Sequence, residues 1–129
     1  MNCKKVTPIL RIFDYDKAVE FYVNWLGFTI DWEHRFEDNT PIYMQISLGG
    51  IVLHLSEHHG DCSPGATVHI DCEGLKAYHE TLIAKNYKYN RPGFDKTFYG
   101  TWGVTVNDPF YNKIIFNEDI KEENTPENE

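Results

Sequence analysis

The sequence predicts an α+β fold: two βαβββ modules whose strands form a concave mixed β-sheet, with the helices on its outer face. Three observations carry this. The stretches 42–56 and 98–116 each alternate apolar and polar residues on either side of a turn, the two-residue period of half-buried strands in a hairpin. Upstream of each lies a segment with apolar residues at i, i+3, i+4, i+7 and i+8, the stripe of a helix buried on one face. The order also recurs at a fixed offset: Lys17-Ala18 reappears as Lys76-Ala77, and the helix-ending Gly27 as Asn86, each 59 residues on.

Residues 6–13 read as the first strand, with Leu10 and Ile12 on one face and Thr7, Ile9 and Arg11 on the other. Asp14 or Asp16 caps the helix 17–26, whose stripe is Ala18, Phe21, Tyr22, Trp25 and Leu26. Gly27 is placed to end it in the left-handed conformation. Residues 28–36 are extended, carry Trp32 and Phe36, and turn at Glu37-Asp38-Asn39. In the first hairpin Met44, Ile46, Leu53 and Leu55 share one face, Tyr43, Gln45, Ser47, His54 and Ser56 the other, across Gly49-Gly50. The loop 57–65 is polar and rich in turn formers.

The second module opens with strand 67–72, in which Val68, Ile70 and Cys72 oppose Thr67, His69 and Asp71. Its helix has the stripe Leu75, Tyr78, His79, Leu82 and Ile83, and a further strand starts at 87–91. In the last hairpin Val104 and Val106 alternate with polar residues. Asn107-Asp108-Pro109 stops the strand because Asn and Asp bond their own backbone and Pro removes a donor. Residues 113–117 return. Each half-sheet then packs its aliphatic face under a helix, and the polar faces line a cleft where the half-sheets meet.

A length of 129 residues suits one domain, 1–117, with modules at about 6–56 and 67–117. The segment 118–129 holds six acids against one base, −5 of the net −8, and is expected to be a disordered tail. The body is left at −3, a charge that argues against tracking nucleic-acid phosphates and favours a cationic ligand. No apolar run is long enough to span a membrane. The N-terminus lacks a secretory h-region, and three cysteines, Cys3, Cys62 and Cys72, have no zinc-type spacing. A cytoplasmic location with free thiols is therefore expected.

The segments ILRIFDYDKAVEFYVNWLGF, DWEHRFEDN, LHLSEHHGD and TVNDPFYNKIIF resemble the glyoxalase/bleomycin resistance/dioxygenase family, also called the vicinal oxygen chelate superfamily. The resemblance spans about residues 6–118, and EHR and SEHHGD are nearest its bleomycin-resistance-like branch. It implies paired βαβββ modules, a homodimer and a ligand cleft; it leaves open whether modules pair within a chain or across a swapped dimer. Enzymes of the superfamily hold one divalent metal through His, Gln and Glu. Those slots fall here on Thr7, His54, Thr67 and Ile115, and one imidazole does not make such a site. The expectation is no metal and no cofactor.

His54, His69 and Asp71 share the predicted polar face, so either a shifted metal site or a plain hydrogen-bonded cleft fits them. His58 and His59 lie in a loop of turn formers, and His34 and His79 read as structural. Cys62 or Ser56 has no pattern that fixes a nucleophile's geometry. The 19 aromatic residues say more: Trp32 and Phe36, and Tyr99 and Trp102 near the last hairpin, offer flat faces for planar heterocycles and cations. The expected function is a metal-free binding protein that sequesters a bleomycin-type or other planar, cationic small molecule in a dimer cleft. The candidate ligand-binding residues are Arg11, Trp32, Phe36, Tyr43, Gln45, His54, His69, Asp71, Tyr99 and Trp102, with no catalytic residue. The alternatives are a metal-dependent lyase, isomerase or dioxygenase using His54, and a binder of an unknown metabolite.

Overall fold

The computed structural model describes residues 1–121. Its element order is β1 (Ile9–Arg11), α1 (Tyr15–Ala18) running on into a π-helical segment (Val19–Trp25), β2 (Thr29–His34), β3 (Tyr43–Leu48), β4 (Ile51–Ser56), β5 (Thr67–Asp71), α2 (Leu75–Ala84), β6 (Asp95–Lys96), β7 (Thr101–Asn107) and β8 (Lys113–Asp119). The strands form two four-stranded mixed sheets, β1-β4-β3-β2 and β5-β8-β7-β6. The fold is α+β, and each sheet arises from one βαβββ run of the chain. The chain divides into two compact units, Met1–Val68 with Asn107–Ile114, and His69–Val106 with Ile115 onward.

In the first sheet β1 runs parallel to β4, and β4-β3-β2 are antiparallel. Its apolar face buries Leu10, Met44, Ile46, Leu53 and Leu55, and the helix contributes Ala18, Phe21, Tyr22, Trp25 and Leu26, each at most 2% exposed. The helix opens as expected: the Asp14 carboxylate accepts the Lys17 N–H at 2.9 Å. It does not stay α-helical. The Leu26 N–H reaches back five residues to the Phe21 carbonyl, the bond of a π turn, and the adjacent rings of Phe21 and Tyr22 pack edge to face at 4.8 Å. Gly27, at φ +93°, ends it.

Three further sequence expectations are corrected. The strand expected at 87–91 is absent. That stretch forms a turn in which the Asn90 N–H bonds the Tyr87 carbonyl, and only Asp95–Lys96 pairs with β7. Tyr87-Lys88-Tyr89 has the β-branched-or-aromatic look of a strand, but Asn86 in the left-handed region (φ +54°) and Pro92 confine it. The first strand pairs over three residues rather than eight. The last strand enters the segment assigned to the tail: β8 continues to Asp119, and the Ile120 N–H bonds the Gly100 carbonyl. Glu118 has a structural reason to be there, since its carboxylate accepts the Gly74 and Leu75 N–H groups at 3.2 and 3.0 Å and caps α2. The rest of the expected disordered tail, 122–129, lies outside the described residues.

Candidate ligand-binding site

A single irregularity builds the site. In β2 Ile30 opposes Ile46, but Trp32 opposes Gln45, so Asp31 is an extra residue, a β-bulge. Without it, strict pairing would set Trp32 against Met44, on the core face. The bulge turns Trp32 onto the polar face. There, register aligns Ile9, His54, Gln45 and Trp32 in one row, and Arg11, Ser56, Tyr43 and His34 in the next.

The rings meet at that point. Trp32 and Tyr43 lie parallel within 11°, centroids 6.0 Å apart, and the His54 imidazole stands edge-on to both at 5.3 and 5.2 Å. Trp32 keeps 43% of its surface in solvent, so the stack is not sealed from it. Beneath the rings runs a directional hydrogen-bond chain. The Asp31 carboxylate, an acceptor only, takes the Ser47 hydroxyl at 2.9 Å and the Gln45 amide nitrogen at 3.0 Å. The Gln45 carbonyl oxygen must then face His54, and it accepts from Nε2 at 3.0 Å. His54 therefore carries its proton on Nε2, and Nδ1 accepts the Tyr43 hydroxyl at 2.7 Å. Burial, with the Lys5 charge, lowers the His54 pKa, and burial, with Asp61 and Cys62, raises that of Tyr43; both shifts favour these neutral forms.

The other expected residues are placed elsewhere. Phe36 leaves this cluster: 78% exposed, it stacks edge-on against His34 at 5.1 Å. Arg11 lies over Phe13 at 4.4 Å and lines a separate hollow. In the second unit His69 and Tyr99 face each other at 6.4 Å around Asn117. The buried Asn117 amide accepts from the Tyr99 and Thr101 hydroxyls at 3.1 and 3.0 Å and donates to His69 Nδ1 at 3.0 Å. Asp71 borders a hollow with Cys72 and Glu118. Trp102 stacks on Phe94 at 4.8 Å with the Lys96 ammonium over its ring, so one of its faces is already covered. Asp31 and Asn117 are not among the residues that the sequence nominates. A bulge leaves no mark in the alternation Ile30-Asp31-Trp32, and Asn117 reads as the polar end of a strand.

Two more of the reactive side chains, Ser56 and His79, have structural partners. The Ser56 hydroxyl donates to Asp61 at 2.6 Å and accepts the His58 N–H, closing the loop after β4. Burial and then Asp61 push the Cys62 thiol up, away from a nucleophilic thiolate. His79 bonds the Pro92 carbonyl at 2.7 Å.

The metal slots of the enzymes do not fit. Thr7 and Thr67 offer neutral hydroxyls, Ile115 offers nothing, and both ring nitrogens of His54 already bond Tyr43 and Gln45. Among the described residues no group of three His, Cys, Asp or Glu side chains is placed to hold a metal ion.

The chain is similar in structure to a bleomycin-binding protein in complex with bleomycin (TM-score 0.68, 19% identity, covering 92% of this chain and 100% of that one). It is also similar to a bleomycin resistance determinant encoded on the transposon Tn5 (0.69, 19%, 92% and 100%). A third is an antibiotic-binding protein from Streptomyces sp. CB03234 (0.69, 17%, 93% and 99%). At these identities the likeness is one of fold. No curated protein matches the chain in sequence. The family described as glyoxalase superfamily protein does match, over residues 1–123, and this chain belongs to the glyoxalase superfamily.

Proposed function

We propose that this protein binds and sequesters a planar, cationic small molecule of the bleomycin type, as a homodimer and without making or breaking a bond. The observation that carries this is the solvent-exposed Trp32–Tyr43 stack, with Trp32 set on the polar face by the bulge. A flat ring already backed by a second ring costs little entropy when a heterocycle lands on it. The Asp31 carboxylate, bonded to the same Gln45 that holds His54, adds negative potential for a cation. Three structural neighbours named for binding or resisting antibiotics support the reading. The committed hydrogen bonds of His54 are those of a rigid wall rather than of a ligand to metal or a mobile base.

Calorimetric titration with bleomycin and a panel of planar cationic heterocycles tests it. Saturable binding is expected, weakened about tenfold in Trp32→Ala, or ~1.4 kcal/mol. Metal analysis of protein purified without chelators accompanies it. No saturable binding across the panel, or a stoichiometric divalent ion, would overturn the proposal; the ion would favour an enzyme.

A further inference from the structure

The first unit contains a hollow of about 350 Å³ whose lining does not include the aromatic stack. Arg11, Phe13, Arg35, Thr40 and Glu57 are among its lining. We infer that it binds an oxyanion group, a carboxylate or a phosphate, with the Arg11 guanidinium as the principal donor.

Arg11 is fixed and unspent. Its guanidinium lies 4.4 Å above the Phe13 ring, and that ring leans on the buried Phe110 at 6.2 Å. Its backbone carbonyl accepts the Asn112 amide at 2.8 Å. Among the described residues only Nε is engaged, in a long 3.4 Å bond to the Ile12 carbonyl. Among the described residues no carboxylate lies within ion-pair distance of Arg11, which is half-buried in a chain of net charge −8. A cation partly withdrawn from water and given no counter-ion lacks the compensation buried charges normally have. Its free planar fork of donors matches the geometry of a carboxylate or phosphate.

The surroundings point the same way. Arg35 donates to the Thr40 carbonyl, and the nearest acid, Glu57, is 3.9 Å from it. The Glu57 carboxylate also accepts the Ile42 N–H at 2.9 Å. The hollow thus holds two guanidinium groups and one carboxylate, and that carboxylate already has a backbone partner. The loop that carries Arg35 and Thr40 is closed on itself, since the Thr40 hydroxyl bonds the Glu37 carbonyl and accepts the Glu37 N–H.

The test is calorimetry on the full chain at low salt with inorganic phosphate and, separately, acetate. Saturable one-to-one binding of at least one is expected. Arg11→Gln should weaken it tenfold or more, the effect of losing a charge-assisted bidentate contact. Arg11→Lys, which keeps the charge but not the fork, should weaken it several-fold. Trp32→Ala should leave it unchanged, so this site and the aromatic site can fail separately. A response to phosphate alone, or to acetate alone, supports the proposal and identifies the source. No saturable binding of either anion overturns it, as does wild-type affinity in folded Arg11→Gln. Should Arg11→Gln not fold, wild-type affinity in Arg11→Lys overturns it.

Discussion

Asp31 decides how His54 is wired. A carboxylate cannot donate, so it orients the Gln45 amide, which selects the His54 tautomer, which in turn makes the Tyr43 hydroxyl a donor. The chain as arranged has a neutral His54. Protonation would put a second N–H toward the Tyr43 oxygen, so that hydroxyl would have to give up its bond to Nδ1, turn away and accept instead. Consistent with this, the His54 pKa is lowered, by burial first and by Lys5 second. The sign follows by linkage. The unfolded chain holds the proton more tightly, so the contribution of His54 is complete above about pH 6.5. It is lost as pH falls from there through the folded-state value. Denaturant midpoints measured on both sides of that value should show wild-type stability dropping on acidification more than that of His54→Gln, which cannot titrate. Parallel curves would remove this account. At this scale the sequence was half legible. Tyr43, Gln45 and His54 are joined by plain alternation, but Asp31 enters only through a bulge, and Arg11 and Phe36 share the polar side of the pattern without sharing the cluster.

The elements around the site are tied by the turn after β7. Asp108 Oδ1 accepts the Phe110 and Asn112 N–H groups, both at 2.8 Å. Its Oδ2 accepts the Tyr22 hydroxyl at 2.6 Å and the Asn112 side-chain amide at 2.8 Å. Asn112 in turn accepts the Ala66 N–H and donates to the Arg11 carbonyl. One buried carboxylate so joins the helix, the last turn and, through Asn112, the first strand. Burial raises its pKa, and these four bonds pull against that rise. Spacing assigns Tyr22 to the core stripe, where it lies at 0% exposure. Spacing is silent on its hydroxyl, because a partner 86 residues away is a matter of tertiary packing. Tyr22→Phe keeps the ring and leaves one buried acceptor position unfilled, so urea unfolding should show a loss of about 1–3 kcal/mol. A loss under about 0.5 kcal/mol, the usual scatter of surface changes, would mean that this bond is not what joins the elements. The same reasoning explains why both hairpins and α2 were readable while 87–91 was not. Alternation under a helix is a burial signal, and Tyr89 is 64% exposed.

For the molecule as a whole, β2 poses the remaining question. It is the outer strand of its sheet, five of its six residues are exposed, and it leads into Phe36 at 78% exposure while carrying Trp32 at 43%. Sheets guard such strands against pairing with strangers by charge and by bulges. Here Asp31 and Glu33 flank Trp32, and the bulge falls at Asp31. The backbone edge is thus protected, whereas the rings of Trp32, His34 and Phe36 are left uncovered. A second copy laid over those rings would cover them without extending the sheet, and would turn an open stack into a walled site for a planar ligand. Light scattering should therefore give twice the mass of one chain. Phe36→Glu should shift the protein toward single chains and weaken planar-cation binding, while leaving the Trp32–Tyr43 stack and the anion response of Arg11 in place. A wild-type protein that binds its ligand as single chains, or a Phe36→Glu variant that dissociates yet binds undiminished, would separate assembly from binding and confine the site to the one sheet that the bulge in β2 builds.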